Sequence, residues 1–398
     1  MTDYKYPLHP YHEIKDLKDM LDQSARAFPD HVAFLTKPEA GKPYVPVSYR
    51  QFADDVEALG TQFLNMGLKP QSRMAILAET RYEWYVSYLA GINSGMVMVP
   101  LDIELQDQEL LSLFNRSASE AIITSSKFAD RVKDLAPQIP SLKDLILIDN
   151  MAQALDPKGR ANQREADQSL TGADGHHIAF HLWNNLLFQG RQAKREGNQA
   201  YRQTDLDPKD LAVLLFTSGT TDKSKCVMHS QQTIAANIMG MGQLLFIGKN
   251  HDDTLLSVLP LNHTYECTCG FLYQIYKGDT IAQSEGLRHI PKNMTEAKVT
   301  TLLCVPLLLE SLHRIIWKNI KKSGKEKLVR RMMTLSRTLR KLGIDLSRTF
   351  FKAIHLSLGG HMRTFISGGA AIDPQILQDF YDWGFVAVQG YGLTEFAP

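Results

Sequence analysis

Leu214–Met228 reads LLFTSGTTDKSKCVM. The apolar run Leu211–Phe216 has the composition of a buried strand, and it leads into Thr217, Ser218, Gly219, Thr220 and Thr221, with Lys223 and Lys225 close behind. A loop of small hydroxyl residues and glycine after a strand can converge backbone N–H groups and hydroxyls on phosphate oxygens, and a nearby lysine can neutralise their charge. No G-x-x-x-x-G-K-[ST] fits here and no G-x-G-x-x-G occurs, so neither a Walker A loop nor the common dinucleotide fingerprint is present.

Working outward, short apolar runs alternate with helix-length amphipathic segments. Leu17–Phe28, the stripe Val56, Leu59, Phe63 and Leu64, then Glu83–Gly95 and Leu105–Ala118 read as helices. Arg73–Glu79, Met96–Leu101, Ala121–Ser125 and Asp144–Asp149 read as strands, as do Thr254–Pro260, Asp279–Ser284, Thr300–Pro306, Thr364–Gly368 and Val386–Gln389. This alternation predicts an α/β fold, with mostly parallel sheets flanked by helices in two similar subdomains. A first subdomain is expected over 1–205 and a second over 206–398, with a polar surface excursion at 151–175.

The chain has 398 residues, 44% hydrophobic and 22% charged, which is enough apolar material for a sizeable core and excludes wholesale disorder. The net charge of +1 gives no reason to expect nucleic acid. Cys226, Cys267, Cys269 and Cys304 fit no disulfide framework, and the lone C-x-C suggests no zinc site, so small buried thiols are expected. The start, MTDYKYPLHP, lacks a signal-peptide pattern, and the default location is the cytoplasm. Lys318–Lys352 is a basic helical segment with twelve Lys and Arg against Glu326 and Asp345, while Leu328, Met332, Leu335, Leu339 and Leu342 recur at helical spacing. It is either a solvated helix or a contact with a phosphate-rich ligand or with an anionic surface at the inner face of a membrane.

Two further stretches suit phosphate and nucleotide chemistry. Leu259–Glu266 (LPLNHTYE) sets His263 and Glu266 in a loop beyond a strand's carboxyl end, where open α/β sheets bind ligands. Ser367–Ala371 (SGGAA) and Gln389–Glu395 (QGYGLTE) each follow a strand. Their glycines Gly368, Gly369, Gly390 and Gly392 would let a flat ligand approach the backbone. Tyr391 offers a face for a base, with a core aromatic as the plain alternative. Glu395 offers a carboxylate for a hard cation, or else merely starts a helix.

Together, in this order, these stretches resemble the adenylate-forming (AMP-binding) superfamily of acyl-CoA synthetases, luciferases and peptide-synthetase adenylation domains, over nearly the whole chain. Within it the chain is most similar to long-chain fatty acid–CoA ligases. The insertion Lys318–Lys352 ahead of SGGAA, the Leu-Pro-Leu-x-His-x-x-Glu form of the second motif, and the lead-in Glu196–Phe216 with its Asp-Pro carry that likeness. The family's TSGTTGxPKGV is departed from at Asp222, Ser224 and Cys226, which removes backbone freedom and adds one negative charge near the expected phosphates.

The resemblance implies the large N-terminal domain of an adenylate-forming enzyme. It implies a ligase that uses ATP, Mg²⁺, a fatty acid and coenzyme A as partners, making acyl-AMP and then acyl-CoA. Thr217 and Glu395 would hold Mg²⁺, and Ser218, Gly219, Thr220, Thr221 and Lys225 would wrap the β- and γ-phosphates. Gly369, Ala370, Gln389, Gly390, Tyr391 and Gly392 would frame the nucleotide, Thr394 would bond the α-phosphate, and His263 would line the junction with the acyl pocket. Since nucleophile and electrophile are both anionic, neutralising charge is the main demand. Family members continue beyond the Y-G-x-T-E motif, so the expectation is that the small C-terminal domain is absent and that this chain alone is inactive as a ligase. A nucleotide-binding remnant without turnover, and adenylation of an aryl or carrier-linked acid, are the alternatives.

Overall fold

The computed structural model describes residues 9–149, 170–217, 224–244 and 252–397. The chain begins with a helix, Leu17–Ala27, capped by the Asp16 carboxylate on the Asp19 N–H. A hairpin follows, β1 (Val32–Thr36) and β2 (Val45–Ser48). Then come β3 (Arg73–Leu77), β4 (Val97–Pro100), β5 (Ala121–Thr124), β6 (Asp144–Leu147), β7 (Leu170–Thr171), β8 (His177–Leu182), β9 (Leu211–Thr217) and β10 (Lys225–Ser230). The last group is β11 (Thr254–Ser257), β12 (Thr280–Gln283), β13 (Thr301–Cys304), β14 (Thr364–Ser367) and β15 (Val386–Gln389).

These strands form two mostly parallel sheets. One has eight strands in the order β10-β9-β4-β3-β5-β6-β8-β7, and the other seven in the order β15-β14-β13-β11-β12-β1-β2. Among the described residues only the pairs β9–β10, β7–β8 and β1–β2 are antiparallel. The α/β architecture with parallel sheets and flanking helices is therefore as expected from the alternation.

The division at residue 205 does not describe the sheets. The N-terminal hairpin crosses into the later sheet, where Phe34 pairs in parallel with Ile281, while β9 and β10 complete the earlier one. The Lys37 ammonium seals the hairpin to its host by ion pairs at 2.7 Å to Glu285 and 2.5 Å to Glu296. The largest core shows why the units interleave. It joins Met74, Ile76 and Met98 of one sheet and Phe34 and Ile281 of the other to helices Leu17–Ala27, Tyr49–Asn65 and Tyr82–Asn93. These helices share that one core with strands of both sheets, so neither half buries its apolar face alone.

Five strands, β1, β2, β7, β8 and β10, were not anticipated. β2, β7, β8 and β10 are polar or short or lie at or near a sheet edge, so they lack the continuous apolar run of the central strands, whereas β1 (VAFLT) has such a run and was simply missed. Most of the predicted polar excursion at 151–175 lies outside the described residues. The basic stretch 318–352 is not one helix. It comprises the end of Pro306–Lys322, then Glu326–Lys341, Ser347–Phe350 and the start of Lys352–Ser357, with Gly324 and Gly343 at positive φ in the breaks.

Candidate nucleotide and acyl-activation site

Beyond the carboxyl ends of β11, β13, β14 and β15, local hydrogen bonds pull the second and third motifs together. The Gly368 N–H donates to the Cys304 carbonyl at 3.0 Å, and the Gly390 N–H donates to the Ser367 carbonyl at 2.8 Å. The Tyr265 hydroxyl donates to the Ile366 carbonyl at 2.9 Å, and a Cβ at Gly368 would lie 2.8 Å from the Tyr265 ring. Gly368 is thus required by its aromatic neighbour. Gly369, at φ +83°, is required by its backbone. The two glycines of SGGAA serve different purposes that the motif alone does not separate.

The segment after Gly390 leaves this sheet and docks on the other. The Thr394–Phe396 turn is held where His229 Nε2 donates to the Thr394 carbonyl at 2.6 Å and Asn237 donates to the Phe396 carbonyl at 3.1 Å. QGYGLTE therefore begins on the seven-stranded sheet and ends on β10 of the eight-stranded one. Tyr391 is 89% exposed, which removes the core-aromatic alternative and leaves its ring face open. Gln389, Gly392 and Glu395 are exposed, Gly390 and Thr394 half-buried, and Ala370 exposed. Glu395 sits in a short 3₁₀ turn with its carboxylate toward solvent.

On the other sheet, Thr217 ends β9 and Lys225 opens β10, and the two are cross-strand partners. They frame the loop that holds the phosphate motif. Ser218, Gly219, Thr220 and Thr221 lie outside the described residues, as do Asp222 and Lys223. At the loop's downstream end the Arg116 guanidinium donates to the Ser224 carbonyl at 2.9 Å and lies 5.2 Å from the Phe216 ring. Arg116 brings a cation to this corner from a different helix, and no sequence signal marked it. His229 was missed for the same reason, since its partner is 165 positions away. Among the described residues, no hydrogen bond or ion pair joins Glu395 to Thr217 or Lys225.

His263 is exposed where the chain leaves β11, its N–H bonded to the Pro260 carbonyl at 3.2 Å. Glu266 corrects the loop expectation. It lies in a turn of π-helix, Tyr265–Leu272, and is fully buried. Irregular helix of this kind commonly sits beside functional sites. Its Oε1 accepts from the Ser257 hydroxyl at 2.5 Å, that hydroxyl accepts from Tyr85 at 3.0 Å, and Oε2 has no partner. Burial pushes the carboxyl up to about 8, although the Ser257 hydroxyl pulls the other way. Burial thus favours the protonated, neutral carboxyl near pH 7.

The thiols are only partly as expected. Cys267 and Cys304 are buried and Cys269 half-buried, with burial pushing each up to about 12, but Cys226 on β10 is exposed. An edge strand that alternates faces places it outward. A divalent cation carried by nucleotide phosphates needs only one or two protein oxygens, because phosphates and water supply the rest. Glu395 offers an exposed carboxylate of that kind, and Thr217, at the end of β9, carries the hydroxyl expected to join it.

A family model described as AMP-binding enzyme matches residues 21–398. The chain belongs to this family. The long-chain-fatty-acid–CoA ligase 5 of Rattus norvegicus is 27% identical over 411 residues, covering 98% of this chain and 56% of that protein. The long-chain-fatty-acid–CoA ligase 3 of Saccharomyces cerevisiae is 24% identical over 373 residues, covering 89% and 52%. The chain thus spans about half the length of the curated relatives it matches. The solved adenylation domain of a carboxylate reductase from Mycobacterium chelonae superposes with a TM-score of 0.74 at 19% identity, over 95% of this chain and 58% of that one. That likeness agrees with the two-sheet architecture of the adenylation fold, without any small C-terminal domain among the described residues.

Proposed function

We propose that this AMP-binding chain takes part in activating a long-chain fatty acid, binding ATP with Mg²⁺, forming the acyl adenylate and passing the acyl group to coenzyme A. The observation that carries the reading is the path of residues 389–397, anchored to one sheet at Gly390 and to the other at Thr394. A nucleotide on this segment would stack on Tyr391 and face the glycines of SGGAA on one side, and the Thr217–Lys225 frame on the other. In this reading Lys225 and the loop amides neutralise the phosphates, Thr394 steadies the α-phosphate and His263 borders the acid. Mg²⁺, held by Glu395 and Thr217, would supply charge neutralisation at the pyrophosphate leaving group. The fatty-acid class is supported by the two ligases named above and by the form of the second motif.

Stable sulfamoyl mimics of acyl adenylates test both nucleotide and acid without requiring turnover. The palmitoyl mimic is expected to bind more tightly than AMP and than the benzoyl mimic in calorimetry. Equal or tighter binding of the benzoyl mimic would move the assignment to aryl acids, and no binding of either would refute the site.

A further inference from the structure

The helix Glu326–Lys341 turns Val329, Met332, Met333 and Ser336 inward, onto the core beside helix Pro374–Asp382. The inward side is pinned by polar contacts. Arg337 pairs with Asp382, and the Arg340 guanidinium lies 4.4 Å from the Tyr381 ring. Its outer side carries something unusual for a solvated helix. Leu328, Leu335 and Leu342 are 55%, 49% and 71% exposed. Spaced by seven, they form one stripe drifting only about 20° per repeat over roughly 21 Å. Ile344 and Leu346, 48% and 41% exposed, extend the apolar surface into the following turn. Because another face of the helix is already packed and ion-paired, the helix cannot roll to cover these side chains.

Charge says what would cover them. Of the twelve basic residues in the stretch, Arg330, Arg337 and Arg340 are paired with Glu326, Asp382 and Asp345, and Arg348 donates to the Met362 carbonyl. These pairs occupy both acids of the stretch. Lys327, Arg331 and Lys341, on the outward side beside the leucine stripe, have no ion pair among the described residues. Exposed leucines flanked by unneutralised cations, with no free carboxylate among them, complement an interface that is apolar inside and negative at its surface.

We propose that Glu326–Lys341 and the turn through Leu346 form a docking face for an anionic lipid bilayer. The leucines enter the headgroup boundary while Lys327, Arg331 and Lys341 meet lipid phosphates. No helix among the described residues is long and apolar enough to cross a membrane, so this contact is peripheral. It stands apart from the proposed acyl activation and does not require it.

The test is co-sedimentation of the full chain with phosphatidylglycerol-containing and pure phosphatidylcholine vesicles, at low and high salt. The parent should bind the anionic vesicles at low salt and hardly bind the neutral ones. K327Q/R331Q/K341Q should lower partitioning by up to roughly a hundredfold at low salt. L328S/L335S/L342S should lower it about tenfold or more and remove the part that survives high salt. Both sets lie on the surface, and unchanged circular dichroism and melting would show that they fold. The proposal is overturned if the parent does not bind anionic vesicles, binds neutral ones equally, or is unaffected by either set. A lipid-free dimer that the leucine variant dissociates would also overturn it, by assigning the face to a second copy of the chain.

Discussion

Replacing Glu266 with Gln should change how stability depends on pH as well as stability itself. In the fold the carboxyl is held at about 8, against an ordinary value of about 4.5. The folded form therefore keeps a proton that the unfolded chain has already released. Stability falls as pH rises from about 4.5 and stops falling once pH passes about 8. Between pH 6 and pH 8 this one group removes roughly 2 kcal/mol from the parent. The groups facing it do not titrate in that window: Ser257 is neutral, burial drives the Tyr85 phenol up, and Cys267 and Cys269 sit at about 12. Gln has the shape of the protonated acid but never ionises. Its amide places donors where Oε2 has no partner, beside a glycine whose Cβ would come within 2.8 Å of the carboxyl. That adds about 1–3 kcal/mol of destabilisation, constant with pH. Urea titrations of parent and Glu266→Gln at pH 6 and pH 8 cancel every other titrating group in the difference. The parent should lose about 2 kcal/mol more than the variant over the interval. Equal losses, or a parent that gains, would show that Glu266 is ionised in the fold and that the buried neutral carboxyl is wrong.

Other outcomes follow from single contacts. Glu395→Gln should weaken Mg²⁺-dependent ATP binding by about 1–3 kcal/mol in calorimetry and leave metal-free AMP binding unchanged. Tyr265→Phe removes the hydroxyl bond to the Ile366 carbonyl and should cost about 1 kcal/mol of stability, with weaker binding of the palmitoyl mimic. Gly190→Ala drives a Cβ to within 1.9 Å of the Ala58 carbonyl, where helices Trp183–Arg195 and Tyr49–Asn65 touch, and should lower the urea midpoint by the equivalent of about 1–3 kcal/mol.

The central strands were legible because each is a short apolar run buried on both faces. β3, β4, β5, β6, β9, β11, β12, β13 and β14 all appear within a few residues of their expected places. Gly368 and Gly369 sit where a side chain would meet the Tyr265 ring or a left-handed backbone. Lys225 and Thr217 were named from one stretch, and the structure makes them cross-strand partners. Arg116, His229 and Tyr265 were not marked as site residues. Their partners are fixed by packing of distant segments, and a lone Arg, His or Tyr carries no local pattern.

Local sequence by itself determined the α/β class, most of the parallel strands, and the family to which the motifs belong, because strand burial and loop chemistry act over a few neighbouring residues. Only the tertiary structure decided that the first hairpin belongs with the last strands, and that Glu266 is buried in a helical turn rather than exposed in a loop. It also decided that four of the arginines in the basic stretch are already engaged while a row of leucines faces outward. These are outcomes of long-range packing, in which the free energy of a side chain depends on what another part of the chain brings against it.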